Sequence, residues 1–160
     1  MFRSALATIV AAIVVIGGAS IFIVDQTEQV IVTQFGQPKR VITAPGLNFK
    51  LPFIQNIISL DRRVLDLETP SAEVITADQK RLVVDTFARY RIENPLRYFQ
   101  ATGGAYLRGD QQLRTFTDAA LRRVLGESTF MHVVKEDRAG VTAKIREQVN
   151  SEAQNLGVAI

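Results

Sequence analysis

An uncharged run of residues near the N-terminus constrains the fold of this chain more than any other feature. Residues 5–24 read ALATIVAAIVVIGGASIFIV, and only Thr8 and Ser20 contribute a side-chain hydroxyl. About 20 helical residues rise ~30 Å, which matches the hydrocarbon core of a bilayer. The run therefore predicts one transmembrane helix over residues 5–24. Its large apolar side chains form the predicted membrane anchor: Leu6, Ile9, Val10, Ile13, Val14, Ile16, Phe22 and Val24.

Two other interpretations of this run are weaker. A cleaved signal peptide has a short apolar stretch that ends at small residues, and Gly17, Gly18 and Ala19 supply such a site. However, residues 21–24 continue the apolar run beyond that site, which is not typical of a cleavage region. A helix buried in a soluble core normally keeps one polar face, and residues 5–24 have none.

The charges that flank the run predict its orientation. Arg3 and the terminal amine precede it, whereas Asp25 and Glu28 follow it and the next basic residue is Lys39. Cytoplasmic flanks of transmembrane helices carry an excess of Lys and Arg. The pattern predicts that residues 1–4 lie in the cytoplasm and that residues 25–160 form a domain on the opposite side of the membrane.

The first part of that domain has the pattern of β-strands. Residues 29–35 (QVIVTQF) are rich in β-branched side chains and end at Gly36, and Gln37-Pro38 is a predicted turn. Residues 73–76 and 82–92 flank the polar stretch 77–80, which is typical of a hairpin.

The second part changes to helical spacing. Apolar residues from Leu113 to Leu125 share one helical face, and residues 141–156 repeat the pattern. Phe116 and Leu121 are predicted core residues of the first of these helices. Strands followed by helices predict an α+β domain.

Residues 47–54 (LNFKLPFI) alternate apolar and more polar side chains in a way that has two interpretations. In the first, an apolar face lies on the membrane surface while Lys50 extends to lipid phosphates with its stem on apolar surface. In the second, an ordinary edge strand buries the same face in the domain core, because alternation is common to all half-buried strands. The predicted membrane-surface contacts are Leu47, Phe49, Lys50, Leu51, Phe53 and Ile54.

The sequence gives no positive sign of catalysis. It has no cysteine and one histidine, His132, so it lacks the residues of a Cys–His metal site. Ser128, His132 and Asp137 follow in the order of a triad, but no G-x-S-x-G elbow surrounds Ser128, and a helix cap at Ser128 or Thr129 is the better interpretation. The net charge of +3 is spread over short basic pairs with acids nearby, which argues against a nucleic-acid binder. We predict no catalytic, cofactor-binding or metal-binding residues.

Six short motifs follow one another along the domain. The segments are residues 30–36, 45–54 (PGLNFKLPFI), 82–95, 121–126, 137–138 and 156–158. In this order they resemble the SPFH, or band 7, domain of the stomatin, prohibitin, flotillin and HflK–HflC proteins. Residues 98–104 (YFQATGG) resemble the bacterial HflK–HflC branch of that family.

The resemblance implies a non-catalytic scaffold of the bacterial inner membrane with its body in the periplasm. The implied partners are an HflK-like protein in a hetero-oligomer, an FtsH-like membrane protease that the complex regulates, and the lipid bilayer; no nucleic acid and no cofactor are implied. The family continues with more strand and a long coiled coil, so the resemblance implies a C-terminally truncated domain over residues 25–160. The alternatives are a stomatin- or prohibitin-like organiser of lipid domains and, less favoured, a membrane-anchored hydrolase.

Overall fold

The computed structural model describes residues 17–160, which form two compact units. Unit 1 ends at Arg62, and unit 2 comprises Arg63–Ile160. Strands come first and helices follow, so the predicted α+β class is confirmed. Six of the predicted anchor residues lie outside the described residues: Leu6, Ile9, Val10, Ile13, Val14 and Ile16.

Unit 1 is built from antiparallel strands. They are β1 (Ile21–Val24), β2 (Glu28–Gln34), β3 (Gln37–Ile42), β4 (Gly46–Phe49) and β5 (Gln55–Asp61). Strands β3, β2 and β5 form a sheet in that order, and β1 pairs with β4 as a two-stranded ribbon. The turn between β2 and β3 lies at Phe35–Gly36, so the turn predicted at Gln37–Pro38 is wrong. Pro38 instead lies in edge strand β3, where a missing amide donor is tolerated.

The predicted transmembrane helix does not continue to Val24. Residues 21–24 form β1, because the alternating sequence Ile-Phe-Ile-Val pairs with β4 and buries every second side chain. Val24 is buried and Phe22 is half-buried against a β-branched cluster in the sheet, so these two residues belong to the core of unit 1 and not to a membrane span. Between residues 17 and 160, no helix is long and apolar enough to cross a membrane.

Unit 2 combines two small sheets with three α-helices. The strands are β6 (Leu65–Glu68), β7 (Ala72–Ile75), β8 (Arg81–Val84), β9 (Phe87–Ile92) and β10 (Val158–Ala159). The helices are α1 (Pro95–Thr102), α2 (Tyr106–Gly126) and α3 (Arg138–Asn155), with a π-helical turn at His132–Glu136 between the last two. Strand β9 lies between β6 and β10, and β7 pairs with β8. The hairpin is thus present, but its predicted second arm over residues 82–92 is wrong, because β8 ends at Val84 and β9 belongs to the other sheet.

One buried cluster of unit 2 lies where α2 and α3 meet the β7–β8 hairpin. It contains Val74, Leu121, Val124, Leu125 and Val141. Leu121 is buried as predicted. The prediction for Phe116 is wrong, because Phe116 is only half-buried and lies along a groove between α2 and α3.

Tyr98 on α1 is enclosed by α2. Its hydroxyl lies so close to Gly109 that a Cβ atom there would be 2.3 Å from the phenolic oxygen. The Tyr98 hydroxyl has no hydrogen-bond partner, and burial, with the negative charge of Asp110 nearby, raises its pKa to about 12. Tyr90 donates to Asp110 Oδ1 at 2.7 Å, and burial together with this bond also raises the Tyr90 pKa. The tyrosines are therefore neutral packing groups.

Asp78 connects the tip of the β7–β8 hairpin to the segment after α2 through hydrogen bonds. Its Oδ1 accepts hydrogen bonds from the Thr76 hydroxyl at 2.6 Å and from the Phe130 amide at 3.0 Å. Lys80 lies 3.3 Å from Asp78 Oδ2 and 5.0 Å from the centre of the Phe130 ring. These bonds, the one from Thr76 foremost, lower the pKa of Asp78 to about 2.

Candidate membrane interface

The β1–β4 ribbon has an apolar outer face. Residues paired across antiparallel strands point to the same side, and the pairs Ile21–Phe49 and Ile23–Leu47 are all exposed, Ile23 to 76%. The opposite side of the ribbon carries Phe22 and Val24, which pack on the sheet. A two-stranded ribbon with one buried face normally presents polar side chains on the other face, and this ribbon presents four large apolar ones.

A tight turn after β4 presents further apolar side chains. The Leu51 amide donates to Gln55 Oε1 at 2.9 Å, and the Gln55 amide donates to the Leu51 carbonyl at 3.0 Å. Phe53 has a φ of 68° and is 93% exposed. Leu51 and Ile54 are also exposed. The turn therefore holds an aromatic ring in solvent at a backbone conformation that favours glycine.

A second aromatic ring is held in the same way in the β2–β3 hairpin. Phe35 and Gly36 have φ values of 50° and 81°, which is the pattern of a two-residue type I′ turn. Asn and Gly are preferred at such positions, yet Phe35 is there and is 84% exposed. Strained residues that persist on a surface point to a role outside the fold. The sequence analysis missed Phe35, although Phe-Gly between two strand patterns carried the signal.

The strand directions bring these features to one end of unit 1, which we name the apolar end. Strands β1, β3 and β5 begin there, and β2 and β4 finish there. The apolar end therefore contains the Phe35–Gly36 turn and the turn at residues 51–54. The chain also reaches β1 at this end: the Lys50 amide donates to the carbonyl of Ser20, the residue before β1, at 2.8 Å.

Among residues 17–62, three cations lie toward the apolar end, whereas the acids and Arg62 lie at the opposite end. Lys39 and Arg40 are the two central residues of β3, Lys50 follows β4, and the Arg40 guanidinium reaches the apolar end by donating to the carbonyl of Phe49. The acids of this stretch lie at the opposite end, near the finish of β1, at the start of β2 and at the finish of β5: Asp25, Glu28 and Asp61. The predicted orientation depends on Asp25 and Glu28, which thus lie at the end of unit 1 opposite to Ser20.

The six predicted membrane-surface residues all lie in β4 or in the turn that follows it. Leu47, Phe49, Leu51, Phe53 and Ile54 are exposed, and Lys50 is half-buried. The interpretation of an ordinary strand that buries this apolar face is therefore wrong. The strand is also shorter than the pattern suggested, because β4 ends at Phe49.

The residues considered for a triad do not form one. The Ser128 hydroxyl donates to the carbonyl of Val124 at 2.8 Å, at the C-terminal end of α2. Asp137 caps the N-terminal end of α3 and accepts a hydrogen bond from the Gly140 amide at 2.8 Å. Thr129, not Ser128, caps the short turn, accepting from the His132 amide at 3.4 Å. Ser128 and His132 both line an open cavity of about 740 Å³. Residues 17–160 hold no group of three His, Asp or Glu side chains placed to bind a metal ion.

Comparison with known proteins gives a consistent result. The profile of the SPFH domain / Band 7 family matches residues 22–160. The chain is 32% identical, over 94% of its length, to the modulator of FtsH protease HflC of Escherichia coli strain K12. It is 30% identical over 86% of its length to protein HflC of Buchnera aphidicola subsp. Schizaphis graminum. The alignments cover 47% of each of these two proteins, so the chain spans about half the length of the curated relatives it matches.

Proposed function

Because the chain belongs to the SPFH domain / Band 7 family, we propose that it is a non-catalytic scaffold of the bacterial inner membrane that regulates a membrane protease. The observation that carries the membrane part of this proposal is the apolar end of unit 1. Exposed apolar patches of this kind mark interaction surfaces. Residues 5–19 precede Ser20 and are uncharged, so in this proposal the surface that covers the apolar end is the bilayer that this run enters.

In this proposal the anchor ends before β1. Residues 1–4 lie in the cytoplasm, the apolar run crosses the membrane, and the SPFH domain begins with Ile21 on the periplasmic side. Arg3 before the run and Asp25 and Glu28 after it support this orientation in the unfolded chain during insertion. Each fully buried Phe side chain contributes about 1.5–3 kcal/mol, so Phe35, Phe49 and Phe53 hold the domain on the surface.

The partner part of the proposal follows the names of the relatives. A protein 32% identical to this chain is a modulator of FtsH protease. We infer that this chain takes part in the same kind of complex, with an HflK-like protein as co-subunit and an FtsH-like protease as the regulated enzyme. Affinity purification from native membranes tests this inference. If neither an HflK-like protein nor an FtsH-like protease co-purifies, the inference is contradicted.

The membrane contact has a direct test, because the chain contains no tryptophan. Phe53→Trp supplies one fluorophore at the apolar end of the full chain, reconstituted in vesicles of brominated lipids. We expect strong quenching. Gln26→Trp is the control, since Gln26 is exposed in the turn between β1 and β2, at the end of unit 1 opposite the apolar end; it is expected to remain unquenched. Equal emission from both variants contradicts the membrane contact.

The second candidate function, a stomatin-like organiser of lipid domains, shares the membrane face but has its body in the cytoplasm. It is favoured by the same apolar end. Reporter fusions after Ile160 separate the two: active alkaline phosphatase supports the protease scaffold, and a fluorescent cytoplasmic reporter supports the lipid-domain organiser.

A further inference from the structure

The three cations at the apolar end have no acidic neighbours. No Asp or Glu of residues 17–160 forms an ion pair with Lys39, Arg40 or Lys50, and the acids of unit 1 lie at its other end. Surface cations are usually interspersed with acids, as they are in unit 2, where Arg89 pairs with Asp66 at 3.2 Å. Because the acids of unit 1 lie far from these cations, an anion that neutralises them has to come from outside the fold.

Two of these cations are placed next to the point where the apolar run enters. Arg40 reaches across from the sheet to the carbonyl of Phe49, the last residue of β4. Lys50 is the next residue, and its amide is bonded to the Ser20 carbonyl at 2.8 Å. The Arg40 bond to Phe49 uses only one of the five donors of a guanidinium. The remaining donors are available at the depth where a membrane-seated apolar end meets lipid headgroups.

We propose that Lys39, Arg40 and Lys50 form a binding site for the phosphodiester headgroups of anionic glycerophospholipids. This inference rests on the proposed membrane contact of the apolar end. The apolar side chains insert into the bilayer, which brings the three cations level with the phosphates. A zwitterionic headgroup carries its own cation beside the phosphate, which repels the three positive side chains. An anionic headgroup carries no such cation, so its phosphate pairs with them.

Spin-labelled lipids measure this preference in the full chain reconstituted in vesicles. The fraction of immobilised phosphatidylglycerol label is compared with that of phosphatidylcholine label. Each cation near a charged surface contributes up to about fivefold, equivalent to about 1 kcal/mol. We expect a clear preference for the anionic label, and the variant with Lys39→Gln, Arg40→Gln and Lys50→Gln is expected to show a ratio of about one. The preference is also expected to weaken with salt.

Matched variants distinguish an effect of the proposed site from an effect of the net charge of the protein. Lys50→Gln and Arg62→Gln each remove one cation from unit 1, but Arg62 follows β5 at the end opposite the apolar end. We expect Lys50→Gln to lower the anionic preference and Arg62→Gln to leave it unchanged. Arg40→Lys retains the charge and is expected to keep most of the preference, which distinguishes a lost cation from a misfolded variant. Equal effects of Lys50→Gln and Arg62→Gln overturn the site.

Two further results overturn the proposal in distinguishable ways. If Phe53→Trp is quenched by brominated lipids in both the parent and the triple variant, yet the lipid preference is the same in both, the headgroup site is wrong and the membrane contact stands. If Phe53→Trp is never quenched, the membrane contact itself fails.

Discussion

Both units expose large apolar side chains, but they surround them differently. In unit 2, Phe87 begins β9 beside the Arg89–Asp66 ion pair, and Val83 lies on the outer face of a hairpin that also carries the Arg81–Glu73 pair. In unit 1, the exposed residues Phe35, Phe49 and Phe53 gather at one end with cations and no acid. Exposure alone is therefore uninformative, and the arrangement of charge around it distinguishes the two surfaces.

The interiors differ in the same sense. In unit 2, the apolar faces of α2, α3 and the β7–β8 hairpin pack together in one buried cluster. Unit 1 has a small β-branched core on one side of its ribbon and leaves the other side apolar and open. The helices and hairpin of unit 2 thus bury apolar faces against one another, whereas the proposed membrane contact would bury the open face of unit 1. Substitutions that compare the two units test this difference.

The largest expected effect comes from Leu121→Ala in unit 2. Leu121 is 2% exposed, and truncation of a buried Leu costs about 2–5 kcal/mol. Phe53→Ala removes a larger side chain from unit 1 but is expected to cost less than about 0.5 kcal/mol of folding stability, as surface changes do. Thermal unfolding of the full chain in detergent measures both. Equal costs would mean that the apolar end is packed and not exposed.

A smaller effect is expected from Gly109→Ala on α2. The added Cβ meets the buried Tyr98 hydroxyl, and overpacking costs about 1–3 kcal/mol. Gly126→Ala is the control, because the nearest atom to its Cβ is the Ile75 carbonyl oxygen at 3.9 Å; it is expected to be neutral or mildly stabilising. Tyr98→Phe removes the unpartnered hydroxyl and is expected to rescue part of the Gly109→Ala loss. No rescue would show that the hydroxyl is not the obstruction.

The smallest effect is a pH dependence of unit 2 at Asp78. Its pKa is about 2 in the folded chain, against an ordinary value of 3.8. A carboxyl whose folded pKa is depressed stabilises the fold above the unfolded value, and that contribution is lost as the pH falls from about 4 to about 2. Asp78→Asn is expected to lower the melting temperature at pH 6 and to reduce its fall between pH 4 and pH 2. Parallel melting profiles for parent and variant would contradict this.

Local pattern was sufficient for most elements of the fold. The β-branched run before Phe35 predicted β2, the polar stretch between residues 76 and 81 predicted the β7–β8 hairpin, and the spacing of Leu113 and Leu121 predicted α2. The α+β class followed from the change of period. Alternation also identified the apolar side chains of residues 47–54, although the pattern by itself did not decide between a buried and an exposed face, and their contact with a membrane stays a prediction.

The errors share one physical cause, which is that partners distant in sequence decide the outcome. Residues 21–24 are as apolar as the run before them, and only pairing with β4 makes them a strand. Phe116 has helical core spacing, but the groove beside α3 leaves it half-exposed. Phe35 was missed because its importance arises when a turn, and not a core, places it at the apolar end. Charge separation is likewise a property of strand direction and is not visible along the sequence.

The order of strand pairing has a consequence for how the protein is made. Every strand of unit 1 finds its partner by Asp61, whereas the sheet of unit 2 needs β10, and the Gly157 carbonyl accepts from the amides of Glu93 and Asn94. At ~5–20 residues per second, the ribosome needs roughly 5 to 20 s to make the intervening chain. Unit 1 can therefore complete its strand pairing while unit 2 is still being synthesised, so that the second unit folds after the first is already formed.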